Sequence, residues 1–343
     1  MITSTLFAKF KNKDVRLFTL ENEVLKVEVL NYGCIIKSII YKPLQRETVL
    51  GLPTLDAYHK QKAYIGALVG RVGNRIHKGH FTLNKVPYQL PLNGPHHLHG
   101  GPDGYDTRIF DCEINNDQLI CRLISEDGDQ GYPGKVNLLI TYHLEKNSLI
   151  LSFNGTSDKD TLFDPTQHTY FNLNKDQINP ILNHTLKLNS KLLYMIEEDG
   201  CTGEHTLKTP ETSFDFSDPK QISKAMDFDH PQVRLAKGID HYYLKHNQNE
   251  PLFCELSVDD LRLEVRSDLP GAHIYTGNYL SPIKGYDLSF MRENGGICFE
   301  TQHVPNSINF DLDQAPILIA ETPYQHTATY TYVLGGTYEH KNI

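Results

Sequence analysis

Apolar and polar residues alternate along much of the chain. The runs EVLKVEVLNYG, SLILSFNGTS, HTLKLNSKLLYMI and CELSVDDLRLEVRSD repeat with a period of two, the spacing of strands with one buried face. Between them lie clusters such as NNDQ, EDGDQGYPG and NPILN, whose Gly, Asn, Asp and Pro residues supply turn geometry. Helical turns are predicted only at TLDAYHKQ and DPKQISKAMDF, and no long stretch carries the spacing of an amphipathic helix. Many short strands punctuated by turns predict an all-β fold, an antiparallel β-sandwich or barrel with few short helices, rather than alternating β–α units. No linker, low-complexity segment or internal repeat interrupts the pattern, so a single domain over residues 1–343 is expected.

Charge and composition remove whole classes of function. The net charge is -9 and no Lys/Arg run is present, which speaks against a nucleic-acid surface. No stretch approaches the roughly 18 apolar residues of a membrane span, and MITSTLFAKFKNKD lacks the apolar core of a signal peptide. The expectation is a cytoplasmic protein with no nucleic-acid or membrane partner. Cys34, Cys112, Cys121, Cys201, Cys254 and Cys298 are scattered without a C-x-x-C pair, and most of them read as buried small hydrophobes in a reducing compartment.

Four stretches break the alternation with polar and aromatic residues: GALVGRVGNRIHKGHF, NGPHHLHGG, FDPTQHTYFNL and GICFETQHVPN, with GIDHYYL as a weaker fifth. The second sets His96, His97 and His99 beside two glycines, which suits either metal ligation or proton and hydroxyl contacts. A metal-binding cupin would follow its H-x-H pair with a Glu within a few residues. After His99 no Glu occurs until Glu113, so metal binding ranks below non-metal use. In GRVGNRI, Arg75 offers a fork of donors for a polyol or oxyanion, with Asn74 beside it; the alternative is a solvated surface arginine. Neither a P-loop nor a dinucleotide fingerprint is present, which disfavours a nucleotide function.

His168 sits among apolar and aromatic neighbours. Burial would lower its pKa and a nearby carboxylate would raise it, and a protonated His is a good general acid. Glu300 ends the apolar run GGICF, where a carboxylate has reason to show a raised pKa and to act as a general base. Asp240 precedes an aromatic strand and either accepts hydrogen bonds from ligand hydroxyls or caps a turn. The chain has no Trp, so a sugar platform must come from Tyr or Phe, with Tyr275 a candidate.

Taken in order, NYGCIIKSI, VLGLPTLDAY, YIGALVGRVGNRIHKGHFTLN, LHGGPDGYD, QHTYFNL, GIDHYYL, PGAHIYTGNYL and FETQHVPNSIN resemble the aldose 1-epimerases, or galactose mutarotases, over nearly the whole chain. The resemblance implies a large β-sandwich of the galactose-mutarotase-like type with a sugar site on a concave sheet. It implies Glu300 as catalytic base, His168 as catalytic acid and His99 as a second active-site histidine, with Arg75, Asn74 and Asp240 contacting the sugar. His273 falls where some members carry Gln against the sugar, so it joins Tyr275 among the expected substrate-binding residues. The substrate expected is a free aldose such as galactose or glucose, with no cofactor and no metal, and the protein is expected to be a monomer or homodimer. A hexose-6-phosphate 1-epimerase would need basic residues beyond Arg71 and Arg75, which the sequence does not display as a cluster. A non-catalytic sugar-binding module would have no need of both His168 and Glu300.

Overall fold

The computed structural model describes residues 1–335. Antiparallel sheets of five, nine and six strands make up most of it, with short two-stranded ribbons between them. The six-stranded sheet carries the chemistry. Its strands are β1 (Tyr170–Phe171), β2 (Ser190–Ile196), β3 (Thr202–Lys208), β4 (Asp240–Lys245), β5 (Gly271–Tyr275) and β6 (Ile297–Gln302), in the spatial order β1-β6-β5-β4-β2-β3.

The period of two decides what each face of this sheet does. Ile297 and Phe299 of β6, Ala272 and Ile274 of β5, Tyr243 of β4 and Leu193 of β2 all enter the main hydrophobic cluster. In that cluster they meet Ile140, Leu151, Leu256, Leu263 and Tyr330 of the nine-stranded sheet, giving a sandwich. Burying each large apolar side chain there contributes about 1.5–3 kcal/mol. The alternate residues must then face away from this core: Cys298 and Glu300, His273 and Tyr275, Asp240 and Tyr242. Register completes the arrangement, because Glu300 lies opposite His273 and His273 opposite Tyr242.

The run HTLKLNSKLLYMI, which reads as one strand, is divided between two sheets. Thr185–Leu188 joins the nine-stranded sheet and β2 the six-stranded one. At the crossing, the Asn189 amide donates to the Phe253 carbonyl, and a register shift follows between Ser190 and Leu192. Core residues accordingly pass from even positions, Leu186 and Leu188, to the odd position Leu193. CELSVDDLRLEVRSD similarly folds as a hairpin, with Asp259 at a φ of 51° in the turn.

One of the two predicted helical turns forms an α-helix. Helix α1 (Leu55–Lys60) starts at Thr54, whose hydroxyl accepts from the Ala57 amide. DPKQISKAMDF yields only a 3-10 turn at Ile222–Ala225, and the second helix, α2 (Pro231–Ala236), begins just beyond it. Four of the six cysteines are free and buried, as expected of most of them, whereas Cys112 and Cys121 are disulfide-bonded across the hairpin Asp111–Asn115/Gln118–Ser125, a pairing not foreseen from the sequence. Strand pairing, rather than sequence spacing, places those two sulfurs opposite one another. Among the described residues no helix is long and apolar enough to cross a membrane.

Candidate active site

A cavity of about 480 Å³ opens on the non-core face of the six-stranded sheet. Its lining brings together Glu300, His168, His99, Asp240, Asn74, Arg75 and Tyr275 from distant parts of the chain. His273 is buried and does not line the cavity; its Nε2 reaches the Asp240 Oδ1 at 2.6 Å.

His168 ends the short strand Thr166–His168, which pairs with Ala67–Val69. Its Nε2 lies 3.6 Å from the Glu300 Oε1, and both residues are at least 95 % buried. The other carboxyl oxygen, Oε2, is buried without a partner, an arrangement that leaves it available to a ligand hydroxyl. Burial pushes the Glu300 carboxyl well above its usual range. The Asp240 charge adds to this, while the Arg75 guanidinium opposes it. Burial also pulls His168 down to about 4. Both shifts favour the uncharged forms of the pair, and at His168 desolvation outweighs the neighbouring carboxylate.

The loop carrying Asn74 and Arg75 is clasped to the histidine-rich loop by two reciprocal bonds. The Asn74 amide donates to the His99 Nδ1 at 3.0 Å, and the His99 amide donates to the Asn74 carbonyl at 2.9 Å. Because Nδ1 accepts, neutral His99 carries its proton on Nε2, and burial holds its pKa well below the ordinary value. His99, His168 and Glu300 do bring donor atoms within 4.8 Å of one another. The tautomer, however, suits His99 to hydrogen-bond donation rather than to ligation through Nε2. Gly100 permits the clasp: its φ is +87°, and a Cβ there would sit 1.7 Å from the Gly70 carbonyl oxygen.

The other two histidines of the cluster are structural. His97 donates from Nδ1 to the Pro91 carbonyl and accepts the Tyr132 hydroxyl at Nε2, and burial lowers it to about 4. The His96 Nδ1 accepts from the Lys78 amide, which leaves its Nε2–H to the Asp199 carbonyl oxygen at 3.2 Å.

Asp240 stays ionised. Its burial opposes charge, but the His273 hydrogen bond and the charges of His273 and Arg75 outweigh that and hold it at about 2. Arg75 makes no ion pair among the described residues, so its guanidinium is free for a ligand. Tyr275 packs edge-on to His168 and Tyr170. Sequence reasoning missed Tyr64, Tyr170 and Tyr279, which complete the aromatic wall; Tyr64 lies 4.6 Å, ring to ring, from His99. Tyr64 stands just before the motif GALVGR and Tyr170 inside QHTYF, but nothing local distinguishes either from an ordinary strand aromatic.

An aromatic-walled cavity on a β-sandwich, with a buried carboxyl–imidazole pair and convergent polar groups, defines a site for acid–base chemistry on a small polyhydroxylated ligand. The aldose 1-epimerase family model matches residues 16–331. Aldose 1-epimerase from Haemophilus influenzae is 34% identical over 318 residues, covering 90% of this chain and 92% of the relative. Galactose mutarotase from Sus scrofa is 30% identical over 326 residues, with 93% and 94% covered. The crystal structure of galactose 1-epimerase from Lactobacillus acidophilus superposes with a TM-score of 0.88 at 28% identity, covering 98% of this chain and 99% of that one. The chain belongs to the aldose 1-epimerase family, isomerases that act on carbohydrates.

Proposed function

We propose that the protein interconverts the α and β anomers of free aldohexoses such as galactose and glucose, by opening and reclosing the sugar ring within a single domain. The observation that carries this reading is the buried Glu300–His168 pair, 3.6 Å apart at the cavity floor with one carboxyl oxygen unpartnered. The names of the relatives agree with it.

Opening the ring removes a proton from the C1 hydroxyl and adds one to the ring oxygen. Glu300 as carboxylate takes the first and His168 as imidazolium gives the second. Rotation about C1–C2 turns the aldehyde, and the reverse transfers close the ring on its other face. These are proton transfers only, with no electron carrier in the balance. The charged pair is thus the form that meets the closed ring, and the neutral pair accompanies the open chain. Burial favours the neutral form and so lowers the energy of the ring-opened state, while Arg75 and sugar hydroxyls offset this in the charged form. His99 donates its Nε2–H to the sugar, and Arg75, Asn74, Asp240 and Tyr275 hold it in place. His273 acts through Asp240.

Polarimetry of freshly dissolved α-D-galactose tests the reading. The protein should speed the decay to the unchanged final rotation, in EDTA as without it, and His168→Asn should abolish most of the acceleration. An unaltered decay with galactose and glucose overturns the proposal.

The pH profile follows from the pair acting with one proton in total. A second proton must go to His168, held at about 4, and loss of the working proton must come from Glu300, held well above an ordinary carboxylate. We expect the acid limb of kcat/KM near the His168 value of about 4. An acid limb at about 6.5, the ordinary His value, contradicts the assignment.

A further inference from the structure

We propose that Cys298 is a positioning residue for ring opening: its sulfur accepts the Nδ1 proton of His168 and so keeps Nε2 as the nitrogen that exchanges a proton with the sugar. This rests on the epimerase reading and adds to it a residue behind the cavity wall. The Cys298 Sγ lies 3.6 Å from the His168 Nδ1, and both residues are buried. Cys298 does not line the cavity, so it acts only through His168.

Strand alternation sets this up. Cys298 and Glu300 stand two residues apart on the non-core face of β6, and the His168 ring lies across them, with Sγ facing Nδ1 and the Glu300 Oε1 facing Nε2, also at 3.6 Å. Register holds the sulfur in place, because Tyr170 of β1 and Tyr275 of β5 are the cross-strand neighbours of Cys298. Their rings also pack against the imidazole, with centroids 5.0 and 6.2 Å from it. The two residues that fix the sulfur therefore confine the ring it meets.

The reaction decides which way this hydrogen bond runs. A closed sugar ring meets His168 as imidazolium, with a proton on each nitrogen. Nε2 gives its proton to the ring oxygen, and the neutral imidazole that remains carries its proton on Nδ1. The Nδ1 proton never leaves, so the group facing it must accept. Burial pushes the Cys298 thiol well above its ordinary range, and the Glu300 and Asp240 charges act in the same direction, so the sulfur keeps its own proton. It is then a neutral, weak acceptor, whereas a carboxylate in its place would stabilise the imidazolium and blunt it as an acid.

The test compares Cys298→Ala, which has no acceptor, with Cys298→Ser, which restores one in a side chain little larger than alanine. With galactose, kcat of the alanine variant should fall by about 2- to 10-fold, the scale of one buried hydrogen bond, while KM is unchanged because every sugar contact remains. The serine variant should recover most of that kcat. A loss shared equally by the two variants makes Cys298 a packing residue and overturns the proposal, as does native kcat in the alanine variant. The second readout is the nitrogen-15 spectrum of the His168 ring without sugar, assigned by the signals missing from His168→Asn, at neutral pH and so well above the His168 value of about 4. It should show the proton on Nδ1 in the native protein and the serine variant, with part of the alanine variant passing to the Nε2–H tautomer. A native ring protonated on Nε2 also overturns the proposal. If no sugar is turned over, the epimerase reading fails by itself. The native spectrum, which needs neither turnover nor a Cys298 variant, still decides whether the sulfur accepts from Nδ1.

Discussion

Glu300→Gln should lower kcat by about 10²–10⁴-fold while leaving the protein folded and at least as heat-stable as the parent. Glu300 is enclosed by strands on both sides, with Tyr170 and His273 strands flanking β6. An amide of nearly the same shape fits that space. What changes is chemical: Gln can neither take the C1 hydroxyl proton nor hold the proton that the pair shares with His168. Removing a buried ionisable group relieves desolvation, so stability should not fall. Polarimetric turnover and a thermal melt on the same sample decide the matter. Turnover near the native rate in a folded variant would remove Glu300 from the mechanism.

Arg71→Met is expected to have the largest effect on stability. The Arg71 guanidinium donates to the carbonyls of Pro133, Gly134, Ser125 and Glu126, and to the hydroxyls of Ser125 and Thr161. Its plane also lies 5.4 Å from the Tyr132 ring. One interior side chain therefore ties the end of the strand Gln118–Ser125 to the Pro133–Gly134 turn. Methionine fills the volume and leaves acceptors such as the Pro133 and Gly134 carbonyls without this donor, at roughly 1–3 kcal/mol for each one that water does not reach. We expect a loss of about 3–5 kcal/mol, seen as a melting midpoint lower by about 4–7 °C. A midpoint within about 1 °C of the native protein would show that the loops find other donors.

The same residue marks where sequence reading stops. Arg71 and Arg75 lie four apart in one glycine-rich stretch and look alike there, yet one is interior and the other faces the ligand cavity. The carbonyls that claim Arg71 lie 54 to 63 residues away, so nothing local separates the two. Glu300 was easier to place, because the alternation of ICFE puts Phe299 into the core and therefore turns Glu300 to the opposite face. His168 was legible as a buried imidazole, but its charge was not. Its pKa depends on how completely the folded chain excludes water, which no neighbouring residue encodes.

His96, His97 and His99 divide in the same way. Their spacing suggested a shared role, whereas the hydrogen bonds to Lys78, Pro91 and Asn74 give each ring its own tautomer and leave only His99 in the cavity wall. The division of residues 184–196 between two sheets was equally hidden. Leu192, Tyr194 and Ile196 continue the even-numbered apolar period of Leu186 and Leu188, which hides the register shift that puts Leu193 in the core.

The buried carboxyl–imidazole pair has a consequence for the whole catalytic cycle. Under the proposed roles, its one proton moves from His168 to the ring oxygen as another moves from the sugar to Glu300, and closure reverses both transfers. The enzyme that releases a β sugar is then identical to the one that bound an α sugar. No reset has to intervene before the next encounter, and forward and backward passages use the same groups. Such a catalyst imposes no direction of its own. It hastens the approach to the anomer ratio that the sugar would reach unaided, so net flow toward either form must come from whatever consumes that form.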